Sequence, residues 1–456
     1  MAASSRRSFY LTIRDIRNSP IGSKVNLIAK AIEIGVPRKS GGSDYFLTLK
    51  LVDETEPTPG FSVNIFEDNL EKLPRIKFPG DIISLQCVEL NVYGGDFFCT
   101  FKRRISSFAL FDGKAGGDLT PYQTSLTRRF LASNADEKLV LQLRALSLRH
   151  QQEVFKTLLL CNIESDKQLD IVCKVLDVYK TSTNDWIVLV WDGTDSPVLL
   201  QNDLDMEAKS PIRPELYDLP REVLHALPKM GSIVEIFVDK VFEGIYLLKG
   251  GGHWVKFYNI IFNIRSGVWR GVVQSPSKVR IVCAANSDVL HRKRIYEDRL
   301  ASYEYSPLSS ICNPPLTVTD SVLSGYSTLR ASLTHPEVVH VFRSIVRVIA
   351  SYPWRAGDLC SPNGRYRVRL TLEDPTARIH AYIYEEDGEN FFGGYPAQDV
   401  LTRKMNMLLG MGDGAADCST KRNPPWISCC LMSFFIDSNN PLKSRRYRIF
   451  GTTMIG

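Results

Sequence analysis

Short apolar runs in which alternate residues are polar recur along the first 110 residues. The pattern predicts five strands: Val25–Ile34, Tyr45–Val52, Phe61–Phe66, Asp81–Tyr93 and Asp96–Phe111. A short polar, helix-like piece, Glu67–Leu73, lies between the third and fourth strands and ends at Pro74. Three strands, a short helix and two further strands are the order of a small Greek-key barrel of the OB type. Residues 1–125 are therefore predicted to form one such barrel.

A second set of strand-like runs follows a break. Leu126–His150 looks helical, so residues 126–165 are predicted to be a helical connector. Residues 166–275 then carry five further runs: Leu169–Val178, Trp186–Trp191, Gly231–Val238, Glu243–Leu248 and Trp254–Phe262. The simplest interpretation is two barrels of one kind in series.

The C-terminal third is less regular. Residues 276–312 are basic and polar and are predicted to be a linker, and residues 313–456 are predicted to form a separate domain. Val338–Ala350 has helical spacing there, and a helical insertion is expected around Val400–Leu409. The strand-like runs are Tyr366–Leu372, Arg378–Tyr384, Trp426–Ile436 and Tyr447–Ile455, the first two as a hairpin. The predicted fold is mainly β: tandem OB-fold barrels, each a five-stranded Greek key, and a mixed α/β C-terminal domain for which a third OB fold is one interpretation.

The balance of basic and acidic residues bears on whether a fold of this type would bind duplex or single-stranded nucleic acid. The 456 residues carry a net charge of only +6, and 44% of them are apolar. Residues 1–125 hold 16 basic and 14 acidic side chains, and residues 151–290 hold 15 and 18. A protein that holds duplex DNA mainly by its phosphates needs a larger basic excess. If the chain binds nucleic acid, stacking and base-edge contacts must contribute much of the affinity, which favours single strands.

Signatures of catalysis, metal binding and membrane insertion are missing from the sequence. It contains no GxxxxGK[ST], GxSxG or HExxH motif, and its ten cysteines include no CxxC pair. Cys429 and Cys430 are expected to be buried thiols, and Asp203 and Asp205 are best explained as solvated loop residues. No segment approaches the roughly 18 uninterrupted apolar residues of a membrane helix. We therefore expect a non-enzymatic intracellular protein with no cofactor, metal, small-molecule substrate or membrane partner.

Aromatic residues near strand ends are the first candidates for binding. Alternation in Phe61–Phe66 places Phe61 on one face and Phe66 on the other, among polar neighbours. An aromatic ring in such a position is better placed to stack on a base than to fill a core. For Tyr45 and Tyr93, core packing is the favoured alternative to stacking.

Loops and basic runs supply further candidates. In the loop that carries Arg38, Lys39 and Asp44, the two cations could hold phosphates and the carboxylate could accept from a base-edge amine, although for this segment in isolation an ordinary solvated turn is the favoured interpretation. Lys102 begins a basic run that is either a solvated edge or a phosphate track, and Trp191 is expected to cap a core. The candidate nucleic-acid-binding residues are Arg38, Lys39, Asp44, Tyr45, Phe66, Tyr93, Phe98, Lys102, Tyr179, Lys180 and Trp186.

Ordered short motifs from about residue 20 to 275 resemble the protection-of-telomeres proteins. The motifs are Gly42–Tyr45, Asn64–Phe66, Pro79–Ile83, Leu90–Tyr93, Val190–Thr194 and Lys229–Ile233. The resemblance implies two OB folds that grip a G-rich telomeric strand, with Phe66 and Tyr93 stacking on bases and Asp44 reading them. The chain departs from the family at Ile34 and Arg38, where members can carry aromatic residues, and at Gly94-Gly95, which replaces lysines.

The expected function follows from the resemblance. The chain would bind single-stranded telomeric DNA in the nucleus, cap chromosome ends and regulate telomerase access and telomere length. Its C-terminal domain would bind a telomere-associated protein, telomerase or both. Two alternatives remain open: a telomerase or telomere accessory protein with weak DNA affinity that acts through RNA or protein contacts, and a general single-strand binder in replication or repair.

Overall fold

Strands form most of the regular structure. The computed structural model describes residues 10–125, 134–146, 157–181, 184–198, 227–265, 268–305, 315–320, 325–411 and 421–455. The strands are β1 Lys24–Gly35, β2 Arg38–Lys39, β3 Tyr45–Val52, β4 Phe61–Glu67, β5 Ile82–Tyr93, β6 Asp96–Lys102, β7 Ser107–Phe111, β8 Gln123–Thr124, β9 Gln168–Lys180, β10 Trp186–Trp191, β11 Val234–Val238, β12 Trp254–Arg265, β13 Val268–Val273, β14 Lys278–Val282, β15 Thr317–Thr319, β16 His340–Tyr352, β17 Arg367–Glu373, β18 Arg378–Tyr384, β19 Trp426–Phe435, β20 Arg445–Phe450 and β21 Thr452–Met454.

Helices are short and lie mostly between barrels or between strands of one barrel. The α-helices are α1 Ile13–Arg17, α2 Asn134–Ala145, α3 Ser287–Tyr305, α4 Leu329–Leu333, α5 Glu385–Phe392 and α6 Gln398–Leu409. The 3₁₀ turns are Leu70–Lys72, Leu160–Asn162, Glu243–Leu248 and Ala356–Asp358. Within the described ranges, none of the helices has the length and apolar character needed to cross a membrane.

Barrel 1 is a closed ring of five strands in the order β1, β3, β4, β6 and β5, and β5 pairs back to β1. The neighbours β4 and β6, which are the third and fifth of these strands along the chain, are parallel, and the other pairs are antiparallel. This order is that of an OB fold, as predicted. The predicted run Asp96–Phe111 divides into β6, in the ring, and β7, which extends the sheet beside β5.

Barrel 2 repeats this order with β9, β10, β11, β13 and β12. The predicted strand Glu243–Leu248 is wrong, because this segment is a 3₁₀ turn between β11 and β12. Ile245 and Leu248 are buried three residues apart, a spacing that suits a 3₁₀ turn rather than a strand. The strand that completes the ring is β13.

The predicted linker 276–312 is also wrong where the structure describes it. Its first part is β14, which pairs with β1 of barrel 1 and β12 of barrel 2 and so joins both rings in one sheet. An ion pair between Arg280 and Glu33, 2.7 Å apart, crosses the same junction. Helix α3 follows and buries Tyr296 against Trp191, with ring centroids 5.0 Å apart.

Barrel 3 closes through β16, β17, β18, β20 and β19, and helices α5 and α6 lie between β18 and β19 along the chain. The third OB fold, the hairpin and the helical insertion are therefore confirmed. The helix predicted from Val338–Ala350 is wrong, because this segment forms β16. Its β-branched residues are buried on both faces over Ser344–Ile349, so the apolar spacing does not distinguish a helix from a buried strand.

An aspartate holds each barrel together at the end of its second strand. Asp53, Asp192 and Asp374 each stand two residues before a threonine and accept that threonine's N–H and O–H. The second carboxylate oxygen accepts the first N–H of a short helix before the first strand, at 2.6–2.8 Å. These N–H donors belong to Ile13, Leu160 and Leu329. The carboxylate thus caps a helix terminus and ties it to the barrel.

Barrel 3 is docked on barrel 2 through buried charges. Glu373 forms ion pairs with Arg347, at 2.6 Å, and with Arg378. Arg347 also donates to the carbonyl of Ser196 at 3.0 Å. On the barrel 2 side, Asp195 accepts from Trp426 of barrel 3 at 2.9 Å. Each of these two cross-barrel hydrogen bonds uses a buried charged group, Arg347 or Asp195, and charge-assisted bonds of this kind are stronger than neutral ones.

Candidate nucleic-acid interface

The outer surface of barrel 1 over β3, β4, β6 and β5 is polar and aromatic. On β4, Phe61, Val63 and Ile65 are completely buried in the core, whereas Phe66 faces outward and is half-buried. This confirms the alternation predicted for the strand. The outward residues of the four strands, here called the barrel 1 face, are Phe46, Thr48, Lys50, Ser62, Asn64, Phe66, Glu89, Asn91, Phe98, Thr100 and Lys102.

Strand register arranges these residues in rows that cross the sheet. Phe46 lies opposite Phe66, and Phe66 lies opposite Lys102. The two rings lie against each other, with centroids 4.9 Å apart and planes inclined by 36°. A second row contains Thr48, Asn64, Thr100 and Glu89, and a third contains Lys50, Ser62, Phe98 and Asn91. Rings therefore occupy both edge rows, with amides and hydroxyls between them.

Hydrogen bonds fix the polar side chains of this face. The Thr48 hydroxyl donates to Asn64 Oδ1, and Asn91 Nδ2 donates to the Thr100 hydroxyl, both at 3.1 Å. Lys102 Nζ donates to Glu89 Oε2 at 2.6 Å. Because each amide keeps donor or acceptor capacity beyond these bonds, the rows can recognise base edges without reorganising.

Tyr93 is outside the core, so the core-packing alternative is wrong for this residue. It ends β5, opposite Asp96, and is 83% exposed. Gly94 and Gly95 form the tight turn that follows, with φ of 59° and 89°. A left-handed pair of this kind is open to glycine at little cost, and it projects the tyrosine ring beside the barrel 1 face.

Three other predicted residues are brought together at a contact with barrel 2. The Tyr45 hydroxyl donates to Glu243 at 2.9 Å, and Lys39 Nζ lies 3.1 Å from the same carboxylate. These interactions raise the pKa of Tyr45 and of Lys39. The Arg38 guanidinium lies 5.7 Å from the ring of Phe242, and burial lowers its pKa.

Backbone contacts complete this inter-barrel contact. Lys39 N–H donates to the carbonyl of Val241, and Gly244 N–H donates to that of Pro37, both at 3.0 Å. The ring of Tyr45 itself packs against the barrel 1 core, as the core-packing alternative expected. Asp44 lies at the edge of the loop, 3.6 Å from Arg103.

The predicted residues of barrel 2 lie on both sides of the sheet. Trp186 packs partly against the core, and Lys180 lies over its ring with Nζ 5.3 Å from the centroid. Tyr179 lies opposite Ile187 on the other side of the sheet. Trp191 is fully buried and its indole donates to the carbonyl of Thr194 at 2.8 Å, which confirms its expected core role.

The outer surface of barrel 2 differs from the barrel 1 face. Ile187 and Leu189 face away from the core of barrel 2, yet they are 0% and 5% exposed. They pack in a separate apolar cluster with Leu227 and Ile233. This part of the second barrel is therefore buried.

Sequence reasoning missed Phe46 and the polar rows. The alternation test that identified Phe66 also applies to β3, where Leu47, Leu49 and Leu51 are buried and Phe46 faces outward. The same test assigns Tyr45 to the core side. Asp203 and Asp205 lie outside the described residues, and Cys429 and Cys430 are buried free thiols.

Two family models match the chain. The model described as "Telomeric single stranded DNA binding POT1/CDC13" matches residues 5–156, and "POT1A-like, OB fold domain" matches residues 312–440. The fission yeast structure "Crystal structure of fission yeast Pot1 and ssDNA" is similar with a TM-score of 0.27 at 16% identity, over 63% of this chain and 93% of that one.

Curated relatives match nearly the whole chain. "Protection of telomeres protein 1a" of Arabidopsis thaliana is 33% identical over 95% of this chain and 96% of its own length. "Protection of telomeres protein 1b" of the same plant is 32% identical over 94% of each. With relatives of this identity along nearly its whole length, and with family models that match its first and last parts, the chain belongs to the protection-of-telomeres family.

Proposed function

We propose that this chain binds single-stranded, G-rich telomeric DNA through the barrel 1 face and thereby caps chromosome ends. The observation that carries the proposal is the outward pair of Phe46 and Phe66 beside rows of ordered amides and hydroxyls. Stacking on a ring contributes about 1–3 kcal/mol per base in single-strand binding. The face lies on the strands that OB folds use for oligonucleotides.

The charges on this face fit recognition by bases more than by phosphates. Its cations are Lys50 and Lys102, and Lys102 is already paired with Glu89. Few phosphate contacts give a shallow dependence of affinity on salt, so stacking and base-edge hydrogen bonds must supply specificity. Such a site prefers exposed bases, as at a single-stranded overhang, over duplex.

The wider role follows from binding at the overhang. A protein bound there acts in the nucleus, without catalysis, by limiting the access of telomerase and so regulating telomere length. Barrel 1 is the main DNA-binding unit in this proposal, and barrel 2 contributes through Tyr179, Lys180 and Trp186 at its edge. The C-terminal domain, residues 313–456, binds a telomere-associated protein or telomerase.

Fluorescence anisotropy of the full-length protein tests the proposal. The oligonucleotides are the G-rich telomeric strand, its C-rich complement, a scrambled strand, the RNA version and the duplex, each at several salt concentrations. Phe66→Ala should weaken binding of the G-rich strand by about 1–3 kcal/mol, because one stacking surface is lost. Phe78→Ala is the matched control, since Phe78 is an exposed phenylalanine of barrel 1 outside this face.

Three other results of these binding measurements would contradict or redirect the proposal. Equal affinities of Phe66→Ala and the unmodified protein, both folded by circular dichroism, would exclude the barrel 1 face as the site. Preference for the RNA version would favour the telomerase accessory alternative. Equal binding of the telomeric and scrambled strands would favour a general single-strand binder.

A further inference from the structure

The outer surface of barrel 3 has a composition unlike that of the other two barrels. On β17, Val368, Leu370 and Leu372 fill the core, so Arg367 and Arg369 face outward. The same alternation applies to the two neighbouring strands of the ring. The resulting outward set, here called the barrel 3 face, is Arg367, Arg369, Tyr382, Tyr384, Arg446 and Arg448.

Register places guanidinium groups and phenol rings side by side. Arg369 lies opposite Tyr382, and Tyr382 lies opposite Arg448 in the parallel pair of β18 and β20. In the next row Arg367 lies opposite Tyr384. Across three strands, cations therefore alternate with rings at the spacing of neighbouring strands, about 4.8 Å.

The rings are arranged as stacking surfaces. Tyr382 and Tyr384 are parallel to within 5°, with centroids 5.6 Å apart. Tyr352 lies opposite Arg369 and is half-exposed, with the guanidinium 5.3 Å from its ring. Trp354 is 70% exposed in the loop between the first and second strands, the loop that joins the strand surface in ligand binding by OB folds.

The charge of this face is positive. Arg448 is paired with Asp387, and Glu385 is held by Arg365 at 2.8 Å at the adjacent strand end. The outward positions of β17 and β18 from Arg367 to Thr371 and from His380 to Tyr384 carry no carboxylate. Burial together with Arg369 and Arg446 lowers the pKa of His380 to about 4, so this imidazole is neutral at physiological pH.

The opposite end of the same strands shows which part of the surface is available. Glu373 and Arg378, beyond Thr371 and His380, are buried in the contact with barrel 2. The barrel 3 face lies at the other end, where Arg367 and Tyr384 are exposed. Docking of the two barrels therefore leaves this face open.

We propose that the barrel 3 face is a second binding site for single-stranded DNA. Guanidinium groups that alternate with phenol rings suit a strand whose phosphates and bases alternate. Tyrosine and arginine are also enriched at protein interfaces, so composition alone does not select the ligand; the regular alternation of cations and rings across the rows is what favours a nucleic-acid strand. We name DNA rather than RNA as the ligand of this face because barrel 1 is proposed to bind DNA, so this inference rests on the proposed function. A strand held at the barrel 1 face and long enough to reach barrel 3 would make both contacts on one molecule.

Two oligonucleotide lengths test this site in the full-length protein. A G-rich strand of about 8 nucleotides occupies one OB fold, whereas one of about 40 nucleotides is long enough to reach two. Arg367→Glu and Tyr382→Ala should each weaken binding of the long strand by about tenfold or more and leave the short strand unchanged. Arg403→Glu is the charge-matched control, because Arg403 is an exposed arginine on α6, outside the face.

The outcomes separate this site from the one on barrel 1. If both sites exist, Phe66→Ala weakens both lengths, and Arg367→Glu weakens only the long one. If Phe66→Ala has no effect and Arg367→Glu still weakens the long strand, the barrel 1 proposal fails and this one stands. Unchanged long-strand affinity in both barrel 3 variants, or a loss confined to the RNA version, would overturn the site.

Discussion

Barrels 1 and 2 share strand order, a parallel closing pair and the aspartate cap, yet their outer surfaces are opposite in character. In barrel 1 the second strand exposes Phe46, Thr48 and Lys50. In barrel 2 the corresponding outward residues, Ile187 and Leu189, are apolar and buried. The fold therefore supplies a scaffold for a binding surface, and the outward residues of the second and third strands decide whether that surface meets a ligand or packs within the protein.

Replacing Ile187 by alanine should produce the largest effect, and on stability rather than on binding. Removing a buried isoleucine side chain destabilises a protein by about 2–5 kcal/mol. Thr48→Ala changes an outward residue of the second strand in barrel 1, where the surface is open, and we expect less than about 1 kcal/mol. Denaturant unfolding followed by circular dichroism gives both values.

The comparison would fail if the two substitutions had similar effects on unfolding. An Ile187→Ala protein as stable as the unmodified chain would show that the outer surface of barrel 2 is not a packed one. It would then be available for a ligand, as the barrel 1 face is. Fluorescence anisotropy with the G-rich strand is then measured for both variants. A direct effect on affinity is expected only for Thr48→Ala, because only this substitution alters a residue of the proposed DNA site.

A second prediction concerns the loop that was expected to bind DNA and is found against barrel 2. A Cβ at Gly244 would lie 2.6 Å from Pro37 Cδ and 2.8 Å from its carbonyl oxygen. Gly244→Ala should therefore separate the loop from barrel 2 and destabilise the protein by about 1–3 kcal/mol, as overpacking does. Thermal unfolding measures the loss, and Gly41→Ala in the same loop, with open space around it, is the control.

DNA affinity of the Gly244→Ala protein decides the role of Arg38, Lys39 and Tyr45. If these side chains serve the inter-barrel contact, binding of the G-rich strand should change little while stability falls. A large loss of affinity in a folded variant would instead show that the loop must be held by barrel 2 to bind DNA. That result would assign Arg38, Lys39 and Tyr45 to the DNA-binding site, as the sequence predicted.

The sequence was sufficient where one local pattern determined the structure. Alternation gave the strands of barrel 1 and the outward position of Phe66, because one face of each strand is buried and the other is not. It failed for Val338–Ala350, where both faces of the strand are covered and the apolar spacing loses its meaning. Within the first barrel it also missed Phe46, although the same test applied to β3 identifies it.

Other features depend on contacts between distant segments. β14 contains the charged residues Lys278 and Arg280, and in the sequence this segment resembles a polar linker. In the structure it is a strand because β1 and β12 pair with it on either side. Tyr45 and Lys39 were expected at a DNA site, and a carboxylate about 200 residues away, Glu243, accounts for their position. Alternation along one strand carries no information about such partners.

The smallest predicted effect is at Lys102, and it tests whether the barrel 1 face reads bases rather than phosphates. Lys102 is bound to Glu89 at 2.6 Å, so part of its charge is compensated before any DNA arrives. For single strands the slope of log affinity against log salt changes by about 0.7 for each phosphate contact. Lys102→Ala should lower the slope by no more than this, and Glu89→Gln should raise affinity at low salt by releasing the ammonium group.

Lys72→Ala is the control. It breaks an ion pair of similar length with Asp68 outside the face, and it should change neither the salt slope nor the affinity. A slope that fell by several times 0.7 in Lys102→Ala would mean that phosphates dominate, and the contrast between the base-reading face of barrel 1, with its few cations, and the arginine-rich face of barrel 3 would disappear.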